Sequence, residues 1–330
     1  MEARGRALFN LLLMNWQENP SLDVEPWQIE DYRDVPLEEL FSRLDKLGIP
    51  LNDEQFTLYA EKCGSPEELA ETLWVRGDFQ KFDRAYLLLF ELWRRLLPEK
   101  QSLSIFCDEL DVLIDQYDLG TLEEEEPLQN ALSDLQKVLD EHADQGEGGT
   151  QVFREISLFC AHDLESFIYD YASEQIDEGE GIYASELVDG YAPYIRNQTW
   201  FTFLRIRLLD ESSPDDAKEM LVGLLEHLRE EPDFELLLEI ARYLVNQGAI
   251  VHFRQAIHQA RDWIRTEQDF QELLAISCEF YRLLDREEET HAMADMLKQR
   301  QGNTLEKAIS VNDKGLQEYY QLFEGLKDTQ

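Results

Sequence analysis

DFELLLEIARYLVNQG (Asp233–Gly248) and DFQELLAISCEFYRLL (Asp269–Leu284) lie 36 residues apart and carry one pattern. Each opens on Asp-Phe. Apolar residues then return every three or four positions, as Phe234, Leu237, Ile240 and Leu244 in the first and Phe270, Leu273, Ile276 and Phe280 in the second. That spacing gathers them on one face of an α-helix. The leading Asp of each reads as a helix N-cap. Ala241 and Ser277 sit where a neighbouring helix needs close approach. Working outward, the spacing predicts helices over 214–229, 233–247, 249–265, 269–284, 287–300 and 304–326, a string of helical hairpins. Upstream, DFQKFDRAYLLLFELW (Asp78–Trp93) echoes the pattern with Phe79, Phe82, Ala85 and Leu89.

A repeat of this length, with a small residue in the first helix, resembles tetratricopeptide-like helical repeats. The resemblance spans 233–302 and, more loosely, everything from Ser213 onward; the Trp–Leu–Gly–Tyr signature of those repeats is missing. It implies hairpins stacked into a superhelix with a concave face for peptides or proteins. It implies no particular binding residues. The alternative is an ordinary helical domain in which two amphipathic helices coincide.

Toward the N-terminus the same period continues with irregular spacing. Pro36 and Gly48 bracket a helix over 36–47, another follows over 53–62, and Ser65 with Glu68 suggests a capping box for SPEELAETLWVR. Helices are expected over 78–97, 102–117 and 127–141, the last with a Leu128, Leu132, Leu135, Leu139 stripe, and a long helical run over 152–175. HADQGEGGT (His142–Thr150) is the most glycine-rich stretch. The expectation is therefore an all-α chain: an irregular helical domain over 1–143, a glycine-rich acidic linker over 144–150, and a helical-repeat domain, an α-solenoid, over 151–330.

RGRALFNLLLMNW (Arg4–Trp16) poses the question of compartment. Asn10 interrupts its apolar run and no small-residue cleavage site follows, so it reads as a buried helix over 3–16, with Leu8, Leu11, Leu12 and Trp16 at helical spacing, rather than an export signal. No segment supplies the roughly 20 apolar residues that cross a bilayer. Lipid anchoring is not expected either, since no Gly follows Met1 and the chain ends KDTQ. Four scattered cysteines (Cys63, Cys107, Cys160, Cys278) fit small core thiols in a reduced, cytoplasmic protein.

A net charge of −40 is unevenly spread, with 24 acids and 3 bases over residues 101–200. Such a field repels nucleic-acid backbones and anionic membranes. It draws in basic protein partners, an effect that fades with salt, although solubility alone also accounts for it. The densest run is Glu123, Glu124, Glu125 and Glu126.

Signatures of chemistry are missing. Seventy carboxylates make acid pairs uninformative. Glu288-x-x-His291 has the spacing used in carboxylate-bridged di-metal bundles but has no second copy, and reads as a surface pair. His252 and His258 point to different helix faces, as do Cys160 and His162. IDEGEGIY fails the EF-hand frame, and GEGG lacks the lysine of a phosphate loop. No catalytic residue, metal or cofactor is therefore expected. The reading is a non-enzymatic interaction module (scaffold, adaptor or chaperone-like) for a basic or amphipathic protein. Candidate contacts are Tyr243, Phe253, Trp263, Phe280 and Tyr281, which helical spacing also fits to the core, together with Glu123 to Glu126. An acidic nucleic-acid mimic and an unrecognised helical enzyme are the rivals.

Overall fold

The computed structural model describes residues 3–74, 78–310 and 312–325. Val75, Arg76, Leu326 and the terminal KDTQ, all part of the expectations above, lie outside the described residues. The chain is all-α: the described residues form seventeen α-helices and no strand beyond a single Thr266–Ala308 bridge. It divides into two compact units, Met1–Glu174 with Glu186–Arg196, and Gln175–Ser185 with Asn197–Gln330. The glycine-rich stretch at 144–150 lies inside the first unit, where it joins two helices that pack on each other.

In the first unit the helices are α1 (Arg6–Glu18), α2 (Leu37–Lys46), α3 (Asp53–Ala60), α4 (Pro66–Leu73), α5 (Phe79–Leu96), α6 (Leu103–Asp118), α7 (Glu126–Asp144) and α8 (Gly149–Ser157). The central piece is α5, whose residues from Ala85 to Trp93 are all buried, with α2, α3 and α4 packed around it. An apolar stripe two or three residues wide cannot be covered on every side, whereas YLLLFELW presents apolar surface all round. Asp78 starts this helix, its carboxylate accepting from the Gln80 amide at 3.1 Å. The α7 leucine stripe is fully buried as expected.

Three local expectations change. On α1 the buried face carries Arg6, Ala7 and Phe9, while Leu8 is 51 % exposed. At Ser65 the hydroxyl accepts from the Glu68 amide at 3.3 Å, but the Glu68 carboxylate reaches past Ser65 to the Gly64 amide at 2.6 Å. The expected run over 152–175 is broken: α8 ends at Ser157 and α9 (Leu164–Asp177) begins after a turn at 158–163. That break has a cause outside the segment. Buried Asp111 on α6 accepts the backbone amides of Ala161 (2.9 Å) and His162 (3.2 Å), bonds that a continuous helix would deny it.

The second unit holds part of α9, part of α10 (Gly181–Tyr191), then α11 (Gln198–Ser212), α12 (Pro214–Glu230), α13 (Phe234–Gln247), α14 (Ile250–Ala260), α15 (Glu267–Leu283), α16 (Glu287–Arg300) and α17 (Lys314–Gly325). Here α11 packs on α12, α13 on α14 and α15 on α16, while α13 also meets α15 and α12 meets α14. The apolar stripes of α13 and α15 face this core, with Leu237, Ile240, Leu244, Phe270, Leu273 and Phe280 buried and Ala241 and Ser277 fully enclosed among them. Burying each large side chain of this kind contributes roughly 1.5–3 kcal/mol. Gly248, at φ +62°, ends α13 in the left-handed conformation that glycine adopts without a Cβ penalty.

Two expectations differ here as well. Asp233 caps α13, accepting from the Leu236 amide at 3.1 Å, but Asp269 is not a cap. Thr266 is, and Asp269 occupies the third helical position, its side chain returning to the Thr266 amide at 2.9 Å. The helix expected over 304–326 begins only at Lys314. Residues before it run as a strap beside the start of α15, where the Glu267 amide donates to the Lys307 carbonyl (2.8 Å) and the Gln268 amide to the Leu305 carbonyl (3.0 Å). First-turn amides have no partner within their own helix. The strap supplies those partners and cannot be helical while it does so.

Candidate functional site

Buried charge concentrates in the first unit around two carboxylates one helical turn apart on α6. Asp108 accepts from Arg6 (3.4 Å), Asn10 (2.9 Å) and Arg33; Asp111 accepts from Asn10 (3.3 Å), the two turn amides and His162 Nδ1 (3.0 Å). His162 Nε2 lies 3.2 Å from Asp115. Burial works against the charged imidazole, but the hydrogen bonds and charges of Asp111 and Asp115 outweigh it and push His162 up to about 9. Cys160 sits two residues away. A hydrogen bond with the Cys107 thiol, burial and the Asp111 charge push its own thiol well above the usual range.

This arrangement is built for structure. Each ring nitrogen of His162 is engaged by a carboxylate, so neither is placed to take a proton from Cys160, and a thiol held protonated is a poor nucleophile. The cluster ties α1 to α6 and fixes the α8–α9 turn, reinforced by the Arg4 amide donating to the Leu158 carbonyl at 2.7 Å. Nearby, Glu91 meets Arg94 and Arg95, and Arg95 in turn donates to the carbonyls of Tyr32 (2.8 Å), Arg33 (2.7 Å) and Val35 (2.8 Å). These networks hold loops.

The larger open spaces given by the structure lie in the second unit, in two lobes lined by α12 and α14. One lobe, of about 490 Å³, is walled by α12, the end of α13 and the start of α14. Its lining is mainly apolar, including Leu221, Tyr243, Leu244 and Ile250, with Lys218 and His252 at its side. Burial and the Lys218 charge hold His252 below its ordinary value. Burial, then the Asp210 charge, push the Tyr243 phenol up. The other lobe, of about 700 Å³, is walled by α12, α14, the turn after α14 and α17, and carries Arg229, Arg254, His258 and Arg261 against Glu226. Val251 lines both lobes and is 65 % exposed.

The sequence candidates separate cleanly on this geometry. Tyr243 lines the apolar lobe. Phe253, Phe280 and Tyr281 are enclosed in the core, where the Phe253 and Phe280 rings stack with centroids 3.7 Å apart, so they present no surface to a partner. Trp263 is 42 % exposed beside the Arg265 guanidinium, in the short 3₁₀ turn after α14. In the acidic run, Glu123, Glu124 and Glu126 are exposed, while Glu125 is half-buried and accepts from the Tyr171 hydroxyl at 2.9 Å. His291 is exposed, its Nδ1 lying 2.7 Å from the Glu287 carbonyl. Among the described residues no group of side chains has the arrangement of a metal site, and no helix is long and apolar enough to cross a membrane.

Sequence reading missed the arginine lobe. Arg229 and Arg254 lie on different helices, and only the packing of α12 on α14 brings them to one cleft. The signal within reach was local, since Arg254, His258 and Arg261 recur at helical spacing. The chain matches no protein-family model, no curated protein and no solved structure.

Proposed function

We propose that this chain is a non-enzymatic protein-interaction module, a scaffold, adaptor or chaperone-like protein, whose second unit docks an amphipathic segment of a partner in the α12–α14 cleft. The observation that carries the reading is Val251, an aliphatic side chain 65 % exposed on the ridge between two lobes, with Tyr243, Leu221 and Ile250 lining the adjoining wall. Covering that surface with apolar groups of a partner is favourable at about 25 cal/mol per Å². The tetratricopeptide-like spacing of α13 and α15 agrees with a groove between stacked hairpins. The surrounding charge of −40 favours encounter with a partner whose own surface is basic, in a reducing cytoplasm where buried thiols such as Cys63 and Cys107 stay reduced.

The test is affinity capture from native lysate across a salt series, run with the wild type and with Val251→Glu. The expected result is a basic protein retained through moderate salt by the wild type and lost with the variant. Retention that vanishes on modest salt addition and ignores Val251→Glu would turn the reading toward an acidic nucleic-acid mimic, because charge alone would then be holding the partner.

A further inference from the structure

Pro214, Ala217, Lys218 and Leu221 recur at i, i+3, i+4 and i+7 and so share one face of α12, which lines the apolar lobe. Leu244 from α13 and Ile250 and Val251 from α14 line the same space. Its volume of about 490 Å³ falls within the roughly 300–1,000 Å³ of small-molecule sites, which combine an apolar lining with a few placed polar groups. We propose that this lobe binds a small amphipathic acid, an apolar body carrying one carboxylate, with the carboxylate beside Lys218 and the body against Leu221, Leu244 and Ile250. Such a ligand needs no protein partner, so the site stands whether or not a segment docks over Val251.

The lining holds one carboxylate and one ammonium, and they do not pair. Asp210, near the end of α11, accepts from the Gln247 side-chain amide at 2.5 Å and stands beside the Tyr243 phenol. Lys218 forms no ion pair and no side-chain hydrogen bond among the described residues, and Asp215, one turn earlier on α12, is exposed without meeting it. The other nitrogen base in the lining is His252, which burial and then the Lys218 charge hold below its ordinary value. A carboxylate placed against both relieves that repulsion and gives each base a charged acceptor. The start of α14 adds backbone donors. Its N-cap is Ala249, whose side chain accepts nothing, so the first-turn amides of Val251 and His252 keep no partner among the described residues. Alone those amides would define nothing; here they border a cavity that already holds Lys218.

Simpler accounts of these groups fall short. A lysine on an exposed helix face serves solubility, which explains Lys218 by itself. It does not explain why that lysine borders an apolar cavity, nor why a histidine sits beside it with no acid between them. A purely apolar ligand would use the wall of Leu221, Leu244 and Ile250 and leave Lys218 idle. The apolar body contributes by the surface it removes from water, about 25 cal/mol per Å². The carboxylate decides the class, because a chain of net charge −40 repels acids and only local groups reverse that preference.

The experiment is isothermal titration of the full chain with decanoate and, separately, with decylammonium, each below its micelle-forming concentration. The overall charge favours the cation, so saturable one-to-one binding of decanoate, tighter than that of decylammonium, is the expected and distinctive result. Lys218→Gln, at an exposed position, should weaken decanoate binding about tenfold. Lys298→Gln, exposed on α16 and outside the lobe, removes the same charge and should leave binding unchanged. Nuclear magnetic resonance of the wild type then locates the ligand. The His252 imidazole signals should move in step with decanoate occupancy, and those of exposed His291 should not. The site is overturned if decanoate fails to saturate, if decylammonium binds as tightly or more tightly, if the His252 signals stay still, if Lys218→Gln binds like the wild type, or if Lys298→Gln costs as much. None of these results bears on protein capture, whose loss with Val251→Glu is read separately.

Discussion

Asp111 in the first unit and Glu267 in the second are both carboxylates shut away from water, and they use their charge differently. Asp111 collects two turn amides, a histidine and an asparagine, and so decides where the chain leaves one helix and enters the next. Glu267 meets Arg300 at 2.6 Å, and Arg300 reaches on to Asp313 at 2.9 Å, pinning the strap that follows α16. Without Asp111 the first unit loses the reason for a turn. Without Arg300 the second unit keeps its paired helices and loses only the clasp over them. Polar networks specify the path of the chain where helices pack irregularly, whereas side-chain stripes suffice where they pack in pairs.

The sharpest way to break this comparison is Asp111→Ala. Removing one side of a buried charged network leaves His162 Nδ1 and two backbone amides without their acceptor, at a cost of about 3–5 kcal/mol. Denaturant unfolding of the first unit should register it, and amide exchange at 158–163 should lose its protection. A cost below about 1 kcal/mol would mean that the turn is set by other contacts.

Arg300→Ala is expected to cost about 3 kcal/mol, since it strands a fully buried carboxylate. Its effect should be local. Exchange should rise at the first-turn amides Glu267 and Gln268 and across the strap, while the α13 and α15 interiors stay protected. If the whole second unit instead opened in step with the strap, the contrast between the two units would fail.

A third measurement uses pH. His162 is raised in the folded state, from an ordinary 6.5 to about 9, so its contribution is fully present below about 6.5 and is lost as pH rises through 9. Full loss is worth up to about 3 kcal/mol for a side chain this enclosed. Wild type minus His162→Gln, followed by denaturant unfolding from pH 6 to 10, isolates this share from other titrating groups. The difference should shrink steadily across that window. A flat difference would mean that the ring is held neutral and Asp111 works through the backbone amides alone.

These networks also mark where sequence reading stops. The stripes of α13 and α15 were legible because their packing partners repeat at 3.6-residue spacing within the segment itself. The break at 158–163 was not, because Leu158 and Phe159 carry the apolar pattern onward and the side chain that bends the backbone lies on α6. The strap misled for a related reason: Leu305, Glu306, Lys307 and Ala308 are good helix formers, and only the unpaired amides of α15 claim their carbonyls. Phe253 and Tyr281 were plausible contacts by residue type, and the helices that meet over them make them core. Arg229 and Arg254 read as surface in the sequence, and the packing of α12 on α14 brings them to one cleft.

The smallest effect sits inside the acidic run and refines the comparison within the first unit. Glu124 and Glu125 are neighbours of one type, yet Glu124 stands in water while Glu125 precedes the first turn of α7 and accepts from the Tyr171 hydroxyl, whose ring is almost fully buried. A hydrogen bond to a charged acceptor contributes more than a neutral one, so Glu125→Gln should cost about 1 kcal/mol, and Glu124→Gln should stay within about 0.5 kcal/mol of wild type. Thermal unfolding of both variants side by side is enough to see it, because the substitutions remove the same formal charge and any long-range effect of that charge cancels. Equal shifts would mean that the run acts only through its summed field. Unequal shifts in the expected order would place one member of the run in the fold and leave Glu123, Glu124 and Glu126 as surface charge.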